Sequence, residues 1–340
     1  MLKVFPKTTN FSRLLINFNQ PPVERENNFR NECRSINFID IIDFFAPFWD
    51  IPENLRFLPE CPDHTRYSEY VRNANKYITL TDDIDECDLI VFPYEWKGQN
   101  ELYDKYYQLA KQHNKKLFVI YISDSSDSLN LDPEHVIVLR TSIDTRYRLV
   151  NEYTIPAWNL DYKYYSIPLL NKTEKPTINF YGFAYNSQVR ISALQSLISQ
   201  QDKINCDFKV RHKFAGHLTL DERISNRQEF VNSLNSTHYV LTPRGNGNFS
   251  YRFYEVLSAR RIPVLIDTFC SLPLENKIDW DKFIVRVKTE DINNIGSIIL
   301  NHYNKYTNDE FIKLLNEVRD MYDTYLTPIA YYSNLKQNYL

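Results

Sequence analysis

The chain has 340 residues, 43% of them apolar and 24% charged, and a net charge of −3. That length accommodates two domains of ordinary size. Lysine and arginine are spread along the chain, which excludes a dedicated nucleic-acid binder, and no run of 18 apolar residues offers a membrane span.

The N-terminus, MLKVFPKTTNFSRLL, places Pro6 and polar residues where a signal peptide needs an unbroken apolar region. A cytoplasmic protein is therefore expected. Five cysteines, Cys33, Cys61, Cys87, Cys206 and Cys270, are scattered with no CxxC pair. Reduced buried thiols fit this pattern better than a zinc site or a disulfide framework. Aromatic residues make up 15% of the chain, which supplies core rings and stacking platforms that sugars and bases both accept.

Residues 1–70 are irregular in pattern. The run 38–45 (FIDIIDFF) fits a short strand and a buried helix equally. Clearer units follow. Residues 87–93 (CDLIVFP) read as a buried parallel strand, 101–114 as a helix, and 116–122 and 136–140 as further strands. Strands alternating with helices imply a parallel sheet covered on both faces. A polar, proline-marked bridge at 156–176 joins this unit to a second one. There, 177–182 is a strand ending in Gly182, 187–200 an amphipathic helix, 208–210 a strand and 225–235 a helix. Strands at 239–241, 262–266 and 283–287 and helices at 291–304 and 308–324 complete it. The expected fold class is α/β, with two domains facing across a cleft: residues 1–165, residues 166–325, and a tail at 326–340 that packs back on the first domain.

The most informative stretch is Thr242–Glu255, TPRGNGNFSYRFYE, between the strands at 239–241 and 262–266. It reads as strand, tight turn, helix. Glycine lets the backbone approach a ligand, a helix start offers unpaired N–H groups, and arginine adds a planar cation. Such a turn holds an anion, most plausibly a nucleotide diphosphate. A plain structural turn remains open as the second reading. No Gly-Lys-Ser/Thr follows, so this is no Walker A loop, and the third glycine of a dinucleotide fingerprint is missing.

The segment TPRGNGNFSYRFYEVLSARRIPVLIDT, followed by LPLENKIDWDKFIVRV, resembles the exostosin-type glycosyltransferases over roughly residues 239–290. Residues 87–94 (CDLIVFPY) and 117–124 are more weakly similar. Two departures stand out: Arg260 occupies a position where the family usually has a small residue, often Gly, and Thr242 replaces a common Cys. The first reads as a surface or helix-end change and the second as neutral.

The resemblance implies a GT-B architecture of two Rossmann-like domains. It also implies transfer of a sugar from a nucleotide donor, commonly a UDP-sugar, to a hydroxyl of a glycan acceptor, with inversion. The acceptor would lie mainly on the N-terminal domain and the donor on the C-terminal one. No metal or other cofactor is expected, because helix N-termini and basic side chains stabilise the leaving diphosphate. The animal enzymes carry a membrane anchor that this sequence does not show, which points to a bacterial or viral source.

For the donor, Arg244, Gly245, Asn246, Gly247, Ser250, Arg252 and Glu255 are the candidates, with Gly182 near the domain interface. Arg211, His212 and Lys213, at another strand end, could contact phosphate or form a solvated basic cluster. Ser250 sits at the expected N-cap, where its hydroxyl caps the helix or binds phosphate. Arg252 and Glu255 are spaced to pair (i, i+3), whereas the resemblance puts Glu255 on the donor ribose. For the base that inversion requires, Asp124 is the first candidate, Glu95 the second and Asp127 the third. A catalytically silent relative that assists a partner enzyme is the alternative reading. The missing Walker lysine argues against a nucleotide hydrolase.

Overall fold

Short, continuous apolar runs set the architecture. The computed structural model describes residues 1–7, 76–94, 96, 98–213 and 218–340. Glu95, Cys33, Cys61 and the 38–45 run lie outside the described residues. The first sheet contains β1 (Leu2–Phe5), β2 (Ile78–Leu80), β3 (Leu89–Val91), β4 (Leu117–Tyr121), β5 (Val136–Arg140) and β6 (Glu152–Thr154). Their spatial order is β2-β1-β3-β4-β5-β6, and every pair is parallel. A parallel strand covered on both faces needs no polar side, and Leu117, Phe118, Val119 and Ile120 of β4 are all buried. Helix α1 (Glu101–Gln112) crosses between β3 and β4. Asn100 caps it, its Oδ1 accepting from the N–H groups of Leu102 and Tyr103 at 3.0 Å each.

The second sheet repeats the plan. It contains β7 (Thr177–Phe183), β8 (Asn205–Arg211), β9 (Tyr239–Leu241), β10 (Ile262–Asp267) and β11 (Val285–Lys288), ordered β11-β10-β9-β7-β8 and again parallel. Helices α2 (Gln188–Ile198), α3 (Leu220–Ser233), α4 (Tyr251–Ser258) and the short α5 (Trp280–Phe283) connect its strands. In both sheets the chain moves outward on one side of the first strand and then on the other. The strand order reverses between β1 and β3, and between β7 and β9. Crevices beyond the carboxyl ends of such strands are where ligands bind.

Several boundaries differ from the sequence expectation. β1 lies inside the sheet although its four residues gave no separate signal. The strand predicted at 177–182 runs one residue past Gly182. The helix expected from residue 225 starts at Leu220, where Thr219 and Glu222 form a reciprocal capping box. The late strand begins at Val285 because Trp280–Phe283 makes a helical turn first. Residues Thr289–Asn294 form a 3₁₀ turn before α6 (Ile295–Asn304), and α7 (Asn308–Met321) relaxes into a π turn at Tyr322–Leu326.

The bridge between the sheets is no polar strap. Ile155, Ala157, Trp158, Leu160 and Tyr162 are buried, and the Trp158 indole donates to the Leu326 carbonyl at 2.6 Å. Beyond that point α8 (Pro328–Ser333) and α9 (Leu335–Tyr339) return to the first sheet. Tyr331 donates to the Thr154 carbonyl, Tyr339 packs on Phe118 and Tyr153, and Lys336 pairs with Asp88 at 2.7 Å. The chain thus crosses between the halves twice, and Arg319 of α7 ties the crossings together through Asp161 at 2.6 Å. The described cysteines, Cys87, Cys206 and Cys270, are free thiols.

Candidate active site at the seam between the sheets

The loops after β4 and β5 meet the loops after β9 and β10. The Asn248 N–H donates to Ser142 Oγ at 2.9 Å, and Asn248 Nδ2 donates to the Ile143 carbonyl at 3.0 Å. The Thr145 N–H donates to the Phe269 carbonyl at 2.8 Å. These bonds place the 244–250 turn at the contact between the halves. Gly247 and Asn248 are buried there, Arg244 and Gly245 are half-buried, and Asn246 is exposed.

A side chain at 247 would force its neighbours to shift. A Cβ there would sit 2.5 Å from a Phe249 ring carbon and 2.7 Å from Asp124 Oδ1. The carboxylate of the first base candidate therefore touches the glycine turn across the seam. Asp124 is exposed and makes no ion pair among the described residues. Ser142 bridges the two elements, donating to the Asp124 carbonyl at 3.1 Å while it accepts from Asn248.

The loop that carries Asp124 is pinned from below. Arg140 and Glu152, both nearly inaccessible, pair at 3.1 Å. Arg140 also donates to the Ser125 and Asp127 carbonyls at 2.8 Å each, and Glu152 accepts from the Leu129 N–H at 2.9 Å. Most of the pair's other bonds hold the 125–129 segment, while Glu152 also accepts from the Leu149 N–H at 3.4 Å and Arg140 Nε is buried without a hydrogen bond. Asp127, the third candidate, accepts from the Ser125 hydroxyl within that same loop.

In the second half the candidates separate. Ser250 is the N-cap of α4, but its side chain makes no capping bond, so the capping role expected for it is not performed. Arg252 pairs with Glu255 at 3.0 Å, lies 3.5 Å from the Phe230 ring centroid and donates to the Tyr181 carbonyl. Glu255 is buried, and its other oxygen accepts from Asn159 of the bridge. Both of its oxygens are thus held within the protein. Arg244 folds back on its own turn, donating to the Asn246 carbonyl at 2.5 Å and the Gly245 carbonyl at 3.3 Å. The Arg146 guanidinium holds the Asp144 carboxyl below the usual carboxylate range, and the Arg244 charge adds to that.

Four candidates stand apart from the turn. Arg211 and Lys213 pair with Glu229 and Glu222 of α3, at 2.6 and 2.7 Å. His212 stacks on the exposed Tyr185 ring with centroids 5.9 Å apart. Gly182 would accept a Cβ at an ordinary 3.6 Å from the Phe180 ring, so nothing there demands glycine. Asp132, Glu134 and His135 bring their ligand atoms within 4.8 Å of one another. They precede β5, at the opposite edge of the sheet from the seam, and the Tyr107 hydroxyl already donates to Asp132 at 2.7 Å.

Sequence reading missed Arg190, in the first turn of α2. Its Nε donates to the Arg244 carbonyl at 2.9 Å, and its Nη1 donates to the Phe183 carbonyl at 2.5 Å and to Asn186 Oδ1 at 3.2 Å. Burial and the nearby Arg252 charge press this guanidinium down to about 10. Arg260 is the exposed helix-end residue the sequence suggested. It ends α4 with φ +57°, the left-handed conformation in which glycine costs nothing.

Comparison with known proteins decides the assignment: the Exostosin GT47 domain matches residues 73–301. The chain belongs to the exostosin GT47 family. It is a glycosyltransferase, and its two parallel sheets form two α/β units. The Exostosin-1 homolog of Caenorhabditis elegans is 24% identical over 289 residues, covering 79% of this chain and 69% of that protein. Exostosin-1 of Drosophila melanogaster is 42% identical over 60 residues, 18% of this chain and 8% of that protein. Both relatives are animal proteins, so the expected bacterial or viral source gains no support. Among solved structures, TarM shares 10% identity at a TM-score of 0.40, covering 71% of this chain and 52% of its own. The GtfA/B complex shares 12% at 0.36, covering 81% and 55%. The chain thus spans about half the length of these two structures. No helix among the described residues is long and apolar enough to cross a membrane.

Proposed function

We propose that the protein moves a sugar from a UDP-sugar to a hydroxyl of a glycan, with inversion at the anomeric carbon. The observation that carries this reading is the contact of Asp124 Oδ1 with Gly247, which brings an exposed carboxylate against the glycine turn across the seam. In the proposed step the acceptor oxygen attacks the anomeric carbon from the face opposite the diphosphate. Its proton passes to the Asp124 carboxylate as the bond to the diphosphate oxygen breaks and that oxygen keeps the electron pair. The N–H groups at the start of α4 and the guanidinium groups around the turn meet the charge that builds on the leaving group. On this reading no bound metal is needed, and transfer should survive EDTA.

A thermal-shift series with nucleotides and nucleotide-sugars tests the donor side. UDP at 100 times its dissociation constant should stabilise the fold by about 2.7 kcal/mol. A melting temperature that no nucleotide moves would refute the donor reading. If transfer occurs with retention at the anomeric carbon, as read by proton NMR of the product, the proposed mechanism is wrong.

A further inference from the structure

We propose that Phe269, Arg146 and Tyr147 form a stacking platform on the rim of the seam that binds an uncharged pyranose unit of the glycan acceptor, outside the cleft that holds the reacting atoms. The proposal rests on the acceptor reading above and names where, and by what chemistry, a further sugar of that glycan is held.

Strain is the first argument. Phe269 adopts φ +60°, a left-handed backbone that is unfavourable for any residue with a side chain. Two bonds hold it there. Its N–H donates to Asp267 Oδ1 at 2.8 Å, and its carbonyl accepts from the Thr145 N–H of the other half at 2.8 Å. The next residue, Cys270, makes an antiparallel bridge with Asp144. Yet 48% of Phe269 is exposed. An apolar ring displayed on a strained, well-tied backbone marks a surface that meets something else. Position is the second argument. Thr268, next to Phe269, donates its hydroxyl to Asn248 Oδ1 at 2.6 Å, so the platform begins where the glycine turn is anchored.

Chemistry supplies the third argument. The Arg146 guanidinium lies 4.1 Å from the Phe269 ring centroid and 5.3 Å from that of Tyr147, which is 66% exposed. One cation thus joins an aromatic ring from each half into a single surface. Charge sets what that surface accepts. Arg146 directs Nε and Nη2 to Asp144, Arg148 pairs with Glu275, and Arg286 with Asp267. These three cations each have a carboxylate, which leaves a phosphate or an acidic polymer little to gain here. Sugar rings carry apolar C–H faces that stack on aromatic rings. Arg146 Nη1 and the Tyr147 hydroxyl make no hydrogen bond among the described residues, so both remain for sugar hydroxyls.

Saturation-transfer NMR and calorimetry with lactose, cellobiose and maltose, on the wild type and on Phe269→Gly, Phe269→Tyr and Tyr147→Ser, test the platform. Glycine accepts the left-handed backbone, so Phe269→Gly removes the ring and keeps the fold, and tyrosine restores a ring. The expected result is that the wild type binds at least one of these disaccharides, with an affinity that does not change from low to high salt. That affinity should fall about tenfold or more in Phe269→Gly, about threefold in Tyr147→Ser and about twofold at most in Phe269→Tyr, while UDP affinity stays the same in every variant. No disaccharide binding by the wild type would overturn the proposal. So would undiminished binding by Phe269→Gly, or an affinity that drops steeply with salt. If a disaccharide binds the platform and no nucleotide moves the melting temperature, the platform stands and the donor reading fails. If UDP binds and no disaccharide does, the platform alone fails.

Discussion

The loop after β4 and the turn after β9 face each other across the seam, yet they are completed in different ways. Beneath the first, Arg140 meets Glu152, and most of the remaining bonds of both side chains go to the same loop, with one more to the Leu149 N–H. Around the second, Arg190 lacks a carboxylate among the described residues, and the one carboxylate of Arg252, Glu255, is shared with the bridge residue Asn159. The first half holds the loop of its candidate carboxylate on a neutral pair, although Arg140 Nε is buried without a hydrogen bond. The second half leaves the Arg190 guanidinium bonded only to neutral oxygens. A half-buried charge without a counter-ion is costly, so the two halves differ in how their cations are satisfied.

The strongest way to break this comparison is to unfinish the first half. Glu152→Ala leaves Arg140 buried and unpaired, and should lower stability by about 3–5 kcal/mol in urea titration. A loss under 1 kcal/mol would show that the pair is no foundation. Next in size, Asp124→Asn should leave the UDP dissociation constant unchanged and slow transfer about 100-fold or more, close to 2.7 kcal/mol of barrier. Full turnover would remove Asp124 from the mechanism and leave Glu95 and Asp127 to be tested.

A smaller effect is expected from Gly247→Ala, whose methyl group must displace the Phe249 ring and Asp124 Oδ1. Because the change pushes both halves, turnover should fall about tenfold, roughly 1.4 kcal/mol. A variant with normal turnover would mean that the contact between turn and carboxylate is incidental. Smallest of all, Arg260→Gly relaxes a left-handed residue just past the end of α4 and should stabilise the protein by about 1 kcal/mol with no change in kinetics. A lower melting temperature would show instead that the Arg260 side chain matters.

Legibility in the sequence followed length and apolarity. The LFVIY and VIVLR runs, buried on both faces, announced β4 and β5 directly. β2 and β6 are three residues each, ITL and EYT, too short for any period to show, and β1 is read only once its partners are in place. The start of α3 was available from the Thr219–Glu222 capping box and was passed over. At the site, the glycine turn is visible because it is contiguous, and Asp124 because a strand ends just before it. Arg190 was invisible for the opposite reason. It lies 54 residues before the carbonyl it bonds, and what distinguishes it is the lack of a partner, which only folding reveals. Ser142 and the Arg140–Glu152 pair are likewise ordinary residues that packing alone brings together.

The double crossing of the chain has a mechanical meaning. Two bodies joined by one strand can twist freely about it, whereas two strands lying side by side, bonded through Trp158 to Leu326 and Asp161 to Arg319, behave as a flat strap. A strap bends about one axis and resists torsion. Any motion that admits substrate should therefore resemble a door more than a ball joint, returning Asp124 to the same place opposite Gly247 at each closure. Distances between spin labels on the two halves, measured with and without UDP, would lie along a single arc.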